Sequence, residues 1–400
     1  MSTRFSGSFT QQEPIPEEGI EAAMAVLRSG RLHRYNTATD ELAETALLEQ
    51  EFAALVGAKY CLAVASGGYA MATALRAVGV KPGDRVLTNA FTLAPVPGAI
   101  AAVGAVPVFV GVTPQLVIDL EDLAAKTGQA EVLLLSHMRG HLADMEALMA
   151  ICDSAGVTVI EDCAHTMGAS WKAVPSGTQG RVGCYSCQSY KHVNSGEGGL
   201  FVTDDAQVAA RAVILSGSYM LYERHLAAPP AEAFDAVRYE TPNISGRMDN
   251  LRAAILRPQL RNLASQCARW NERYFAIEAG LRDTPGLTVI ERPAEESFVG
   301  SSIQFLLEGW ETEAVEAVLT GCLKRGVELK WFGGAEPVGF TSRYDSWRYV
   351  QAPRMPQSDA VLAGIVDMRV PLTFSLEDCA LISGIIKAEV GAVYQEVQGS

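Results

Sequence analysis

The sequence predicts an α/β chain in which a mostly parallel sheet is sandwiched by helices and followed by a smaller α+β domain. Three observations point there. Strand-like runs near residues 60–66, 85–89, 106–112, 132–136, 157–162, 183–187 and 199–203 alternate with helix-like stretches, the pattern of parallel strands joined by helical crossovers. The character shifts near Gly246, where Arg247 to Gly280 reads as one long helix. The chain has 400 residues with 48% apolar composition, enough for a large core and two domains. We place residues 1–248 in a large domain with an N-terminal arm, and 249–400 in a linking helix and small domain.

Taken in order, residues 1–15 read as a flexible arm ending in Pro14-Ile-Pro16, and Glu17 to Ser29 has helical spacing through Ile20, Met24 and Leu27 until Gly30 stops it. Arg31 to Asn36 is basic and aromatic in an acidic chain. A helical stripe from Leu42 to Val56 leads into Cys61–Met71, which reads as a strand, a Ser-Gly-Gly turn and a helix start. Val157–His165 reads as a buried β-branched strand carrying Glu161, Asp162 and His165 at its carboxyl end. The long helix presents Leu251, Ala254, Ile255, Leu260, Leu263, Cys267, Trp270 and Tyr274 on one side, with Pro258 expected to kink it. The small domain should hold strands near 286–291, 302–308 and 327–332, a helix near 311–325 and a final amphipathic helix from Leu376 to Val397.

Composition narrows the function classes. A formal net charge of −14 argues against nucleic acid or an anionic membrane as partner. The 8 cysteines lack regular spacing, and Cys61, Cys163 and Cys379 lie in apolar surroundings, which fits a reducing cytoplasm. Cys184-x-x-Cys187 has no second Cys/His pair at ligand spacing, so no metal is expected. The first residues have no apolar run of signal-peptide length, and no stretch approaches a membrane span.

The chemistry concentrates in Cys184–Thr203. There an apolar strand carrying Ser186 runs into a lone lysine, Lys191, and then into Gly196, Gly198 and Gly199 before a second strand. A Schiff-base lysine needs a desolvated site that lowers its pKa and room for a flat partner, and glycines allow close backbone approach. A surface lysine before a hairpin turn has the same local sequence. Two upstream stretches favour the first reading. Asp162 ends a strand, where ligands sit in open α/β sheets. The Ser66-Gly67-Gly68 turn opens a helix whose free amides and dipole suit a phosphate.

A phosphate cradle, a strand-end carboxylate and a later lysine, in this order, resemble the fold-type I pyridoxal phosphate aminotransferases, and among them the DegT/DnrJ group of sugar and cyclitol aminotransferases. The motifs that match are Gly83-Asp84 with Ala105–Val110, Asp144-Met145, Glu161-Asp-Cys-Ala-His165 with Gly168-Ala169, Ser186, Lys191 with Gly196–Gly199, and Arg247-Met248 followed by Ala253-Ala254. The match spans roughly residues 20 to 280.

The resemblance implies that Lys191 holds the pyridoxal 5'-phosphate as an internal aldimine and later moves the proton. Asp162 then pairs with the pyridine nitrogen, though an Asp after a strand also serves as a helix N-cap. His165 lies near the ring, or is a satisfied loop histidine. Gly67, Gly68 and Ser186 are expected to bind the phosphate. The group usually has Thr where this chain has Gly68, so Tyr69 N–H or another group is expected to compensate. A partner-subunit Asn usually reaches the phosphate; here Ser245 holds that position, with Asn243 two residues earlier. For the ring face, either Leu93 covers it or Phe91 stacks on it.

For substrate recognition the resemblance brings forward Arg34 and Tyr35 at the mouth, Gln188, Gln304, Trp331 and Arg343. A solvated loop, a packing glutamine and an aromatic-rich core loop are the plainer readings of the same stretches. Ser186-Cys-Gln188 is closer to the Ser-x-Gln of the scyllo-inosose aminotransferases and aminohydroxybenzoate synthases than to the nucleotide-sugar enzymes. The resemblance thus implies a homodimeric aminotransferase that takes an amino group from glutamate or glutamine to a keto-sugar or keto-cyclitol. Two alternatives stay open: a dehydratase or lyase of the aminohydroxybenzoate synthase type, and a cofactor-binding regulatory protein without turnover.

Overall fold

The computed structural model describes residues 4–339 and 341–398. Phe340, inside the aromatic stretch 339–347, and the first three residues of the arm lie outside the described residues. Seven strands form the central sheet in the order Tyr60–Val64, Gly199–Thr203, Val182–Ser186, Thr158–Asp162, Val132–Ser136, Arg85–Asn89 and Val106–Val110. All run parallel except Gly199–Thr203, which is antiparallel to both neighbours. The strands are apolar because both faces are covered: Val132–Ser136 is buried at every position.

This topology places the carboxyl ends of the parallel strands along one edge. Asn89, Ser136, Asp162 and Ser186 are each the last residue of a strand, and Ser136 and Asp162 are direct register partners. The helix Gly67–Ala77 starts at the same edge. Ser66 caps it by accepting the Tyr69 N–H at 3.1 Å. Two glycines are required by close approach. A Cβ on Gly67 would fall 2.9 Å from Ser186 Cβ, and one on Gly199 would fall 2.3 Å from the Ser66 carbonyl oxygen.

The long helix runs Asn250–Leu281 and continues through Pro258. Its first half, through Leu256, Leu260 and Leu263, packs into the large-domain core, while Tyr274, Ile277 and Leu281 enter the small-domain core. The small sheet has the order Thr288–Val289, Ser302–Leu306, Ile365–Arg369 and Lys330–Trp331, all antiparallel. Its helices are Thr312–Lys324, Pro356–Gly364 and Leu376–Gln398.

Two expectations are corrected here. The arm is not loose along its described length, because Phe5 and Phe9 are 3% exposed and pack edge-on against Phe374. Phe5 N–H also donates to the Arg325 carbonyl at 2.9 Å. Hydrophobic burial draws the start of the chain into the small domain. The strand Ile365–Arg369, not anticipated, is one of the two inner strands of the small sheet. Its alternation is masked by Asp367, a carboxylate with 0% exposure.

Candidate active site

At the carboxyl edge of the large sheet a chain of hydrogen bonds leads to Asp162. Asn89 Nδ2 donates to the Ser136 carbonyl at 3.0 Å, and Ser136 N–H donates to Asn89 Oδ1 at 2.8 Å. Thr92 Oγ1 donates to Ser136 Oγ at 2.8 Å, and that hydroxyl donates to Asp162 Oδ2 at 3.0 Å. Ala164 N–H completes the set on Oδ1 at 3.1 Å. Burial pushes the Asp162 carboxyl above its ordinary range, opposed by the Ala164 N–H, the Lys191 charge and the Ser136 hydroxyl. Among the described residues no salt-bridge partner is recorded for Asp162: it is a buried acid, oriented and hydrogen-bonded, that an N–H cation would satisfy.

Glu161 beside it is structural. It accepts the N–H groups of Gly177, Gln179 and Gly180 at 2.8, 2.9 and 2.6 Å, and pairs with His137 at 2.9 Å. With Cys163 these two residues make a cluster of metal-ligand type. The glutamate oxygens are already taken by that set of amides and the imidazole.

Lys191 lies on the loop between Val182–Ser186 and Gly199–Thr203, and its Nζ is 2.9 Å from His165 Nε2. The residue is partly open to the cleft while its amine lies among buried groups. Burial, then the charge of Arg139, pushes the Lys191 ammonium down to about 7, with Asp162 pulling the other way. Burial and the Lys191 charge hold His165 neutral, well below its usual pKa. His192 is also neutral, pushed down to about 4 by burial, and is fixed between the Met167 carbonyl and Ser301 Oγ at 2.8 Å each.

The structure brings Leu93, His165, Gln188 and Lys191 to one cleft between the domains, joined by Arg139, Tyr190 and Arg369. Gln188 Oε1 accepts the Tyr190 N–H at 3.0 Å. Several other expected positions are corrected. Phe91 is fully buried and meets Phe332 edge-on at 5.1 Å, so Leu93 is the one of the pair that borders the cleft. Tyr69 N–H is spent on Ser66 and its hydroxyl donates to the Leu215 carbonyl at 3.1 Å, which removes it as a stand-in for the missing threonine.

Arg34 and Tyr35 do not face the cleft. Arg34 is 2% exposed and makes a two-pronged pair with Glu49 at 2.8 and 2.9 Å, and Tyr35 Oη lies 2.7 Å from His225 Nε2. Burial alone would raise Glu49; Arg34 and His225 hold it down to about 2. Gln304 is also buried, donating to Asp367 at 2.7 Å and lying 2.8 Å from His141. Trp331 Nε1 donates to the Ala363 carbonyl at 2.7 Å, and Arg343 pairs with Asp345 and Asp359 at 3.0 and 2.9 Å. Trp331 and Arg343 serve the small domain, and Gln304 ties it to His141 of the large one. Ser245 adopts φ 51 with its N–H donated to Asn243 Oδ1 at 3.1 Å, on an exposed segment.

Reading by sequence missed Asn89, Thr92 and Ser136 behind Asp162, and Arg139 and Arg369 in the cleft. Asn89 and Ser136 could have been found as polar residues closing apolar strands, and Thr92 as a hydroxyl on the loop just after one of them. Arg139 and Arg369 give no local signal.

The architecture is that of the fold-type I pyridoxal phosphate enzymes. The solved structure of 3-amino-5-hydroxybenzoic acid synthase superposes with a TM-score of 0.82 at 26% identity, covering 98% of this chain and 100% of that one. The model of the DegT/DnrJ/EryC1/StrS aminotransferase family matches residues 14–387, and the chain belongs to that family of pyridoxal phosphate-dependent aminotransferases. Curated relatives include the L-glutamine:2-deoxy-scyllo-inosose aminotransferase of Streptoalloteichus tenebrarius, 32% identical over 75% of this chain and 74% of its own length. The spore coat polysaccharide biosynthesis protein SpsC of Bacillus subtilis is 32% identical over 68% of this chain and 69% of its own.

Proposed function

We propose that this aminotransferase moves an amino group from glutamate or glutamine to a keto-cyclitol or keto-sugar, using Lys191 as the reacting amine and Asp162 as the acid that would pair with the cofactor's ring nitrogen. The observation that carries the reading is the pair of opposed environments: a buried, hydrogen-bonded aspartate ending the strand Thr158–Asp162, and a lysine pushed down to about 7 on the loop that follows the neighbouring strand Val182–Ser186. The acceptor class rests on the likeness to an enzyme named for 2-deoxy-scyllo-inosose.

The residues present fit the cofactor. Asp162 would hold the ring nitrogen, Lys191 the aldehyde carbon, and Gly67 and Gly68 amides with the Ser186 hydroxyl the phosphate. No helical carbonyl takes the first amides of Gly67–Ala77. When bound, pyridoxal phosphate supplies a ring that accepts the electron pair left at the substrate carbon. The chain does the rest. Lys191 Nζ, its pKa lowered to about 7 by burial and by Arg139, is suited both to take and to give a proton at that carbon. His165, kept neutral, offers Nε2 as a partner for that amine in either state. Leu93 borders the cleft with an apolar side chain that excludes water.

The site is completed across a homodimer in this reading. The segment around 217–247 supports it by exposing Tyr219, Met220, Tyr239 and Ile244, and by holding Tyr219, Met220 and Ser245 at positive φ. Asn243 and Ser245 then reach the partner's phosphate.

The test is half-transamination. Glutamate or glutamine added to the yellow holoenzyme should bleach the cofactor's visible band, and keto-sugars and inososes should then restore it. A band that answers no amino donor would leave the regulatory reading standing. Loss of water from the acceptor without amino transfer would select the dehydratase reading, which the likeness to 3-amino-5-hydroxybenzoic acid synthase keeps in play.

A further inference from the structure

One small-domain hydroxyl borders the Lys191 cleft with its proton already committed. Ser301 lies just before the strand Ser302–Leu306 and lines the cleft together with Trp270, Val370 and Pro371. Its backbone is held twice: the Ser301 N–H donates to the Val299 carbonyl, and the Ser301 carbonyl accepts the Val370 N–H, each at 2.9 Å. Its Oγ lies 2.8 Å from His192 Nε2. That bond ties the small domain to the residue directly after Lys191.

The imidazole decides which way the bond runs. His192 Nδ1 lies 2.8 Å from the Met167 carbonyl, which can only accept, so Nδ1 carries a proton. Burial keeps the ring neutral against the opposing pull of that carbonyl, and a neutral imidazole has a single N–H. Nε2 is therefore a lone pair, and Ser301 Oγ–H donates to it. The Trp270 ring, 5.0 Å away between centres and tilted by 52°, packs against the imidazole. Among the described residues this is the one hydrogen bond recorded for the Ser301 hydroxyl, so its oxygen remains able to accept. The next residue has the reverse arrangement: Ser302 is buried and its oxygen takes the Gln304 amide at 2.9 Å. Arg139 and Arg369 border the same cleft, and a guanidinium carries donors but no acceptor. A ring hydroxyl both gives and takes a hydrogen bond, and one that met only such donors would be left with an unpaired proton. Ser301 offers that proton a place.

We propose that Ser301, oriented by His192, accepts a hydrogen bond from a ring hydroxyl of the keto acceptor and so selects a hydroxylated ring over one with no proton to give at that position. This rests on the reading of the Lys191 cleft as the aminotransferase site. His192 is a positioning residue here, because it acts on the substrate only through the direction of the Ser301 hydroxyl.

The experiment measures equilibrium binding to the holoenzyme by calorimetry, with rings that cannot undergo amino transfer. Myo-inositol and scyllo-inositol carry hydroxyl donors, and benzoate is a ring without one. Each is tested on the wild type, Ser301→Ala, Ser301→Thr and His192→Phe. At least one inositol should bind the wild type and lose about tenfold in affinity in Ser301→Ala, which corresponds to about 1.4 kcal/mol. Ser301→Thr keeps the oxygen and should recover part of the loss. His192→Phe leaves Ser301 in place but frees its proton to turn elsewhere, and should weaken the inositol by about threefold. Benzoate should bind every variant as it binds the wild type, or more tightly where the lone pairs are removed. Failure of both inositols to bind the wild type overturns the proposal, as does an inositol affinity unchanged in Ser301→Ala. A parallel loss for inositol and benzoate also overturns it, since that marks Ser301 as structural. If benzoate binds none of the proteins, recovery in Ser301→Thr decides; if Ser301→Ala does not fold, the inositol affinity of His192→Phe decides. Because none of these ligands reacts, failure here is separable from failure of the aminotransferase reading, which half-transamination decides.

Discussion

Replacing Lys191 by methionine should make the cofactor-free protein more stable, and the gain should shrink as pH rises. The ammonium is pushed from 10.5 in an open chain down to about 7 in the fold by burial and by Arg139. For a base with a lowered folded pKa, the unfolded state binds more protons between those two values, so wild-type stability rises with pH across that window. The full penalty of the buried lysine at pH 7 is about 4 kcal/mol; since the residue is partly open to the cleft, about 2 kcal/mol is the working figure. Methionine keeps the apolar stem and removes the charge. Urea unfolding of both apoproteins at pH 7 and pH 9 should show the variant ahead by about 2 kcal/mol at the lower pH and by about half that at the higher one. A lead that is absent, or that does not change with pH, would refute the claim that this amine is desolvated in the fold.

Three further outcomes follow from the same geometry. Asp162→Asn should lower the turnover number by about a hundredfold or more while the fold persists, because an amide cannot neutralise a protonated ring nitrogen; steady-state kinetics beside circular dichroism checks both halves. Ser136→Ala removes a donor from Asp162 Oδ2, and should raise that carboxyl's pKa further and weaken cofactor retention by about tenfold, read by dialysis and absorbance. Arg34→Met leaves Glu49 and His225 buried without their cation, so it should cost about 3–5 kcal/mol in unfolding free energy while substrate KM in the folded fraction stays unchanged; a raised KM at full stability would restore Arg34 to the substrate.

Much of the large domain was legible because its signals are local. The strand-helix alternation, the turn Ser66-Gly67-Gly68 and the run after Ser186 each depend on neighbours in sequence, and the strands observed at Arg85–Asn89, Val132–Ser136 and Gly199–Thr203 coincide with those expected. The long helix was legible for the same reason: its apolar spacing persists over many turns. Boundaries differ by one to a few residues where strand ends fray into the loops that carry the site.

The small domain and the cleft wall were less legible. The strand Ile365–Arg369 hides its pattern because it buries Asp367 for a partner, Gln304, that lies 63 residues away. Arg34 was misread in the other direction. A basic, aromatic segment in an acidic chain suggests a surface that meets an anion, but the anion proved to be Glu49, buried inside the domain and shared with His225.

By itself the sequence determined which residues could do the chemistry: a lysine before a glycine-rich turn, an aspartate closing an apolar strand, and glycines where backbones must touch. Those properties are set by residue type and short spacing, and the chain carries them whatever it packs against. Only the tertiary structure decided how far burial lowers the Lys191 pKa, which of Phe91 and Leu93 borders the cleft, and that two arginines from different domains line the same cleft as Lys191. Each of these depends on burial and on charges brought together from distant parts of the chain, and the Coulomb and desolvation terms involved fall off with distance in space, to which sequence separation is blind.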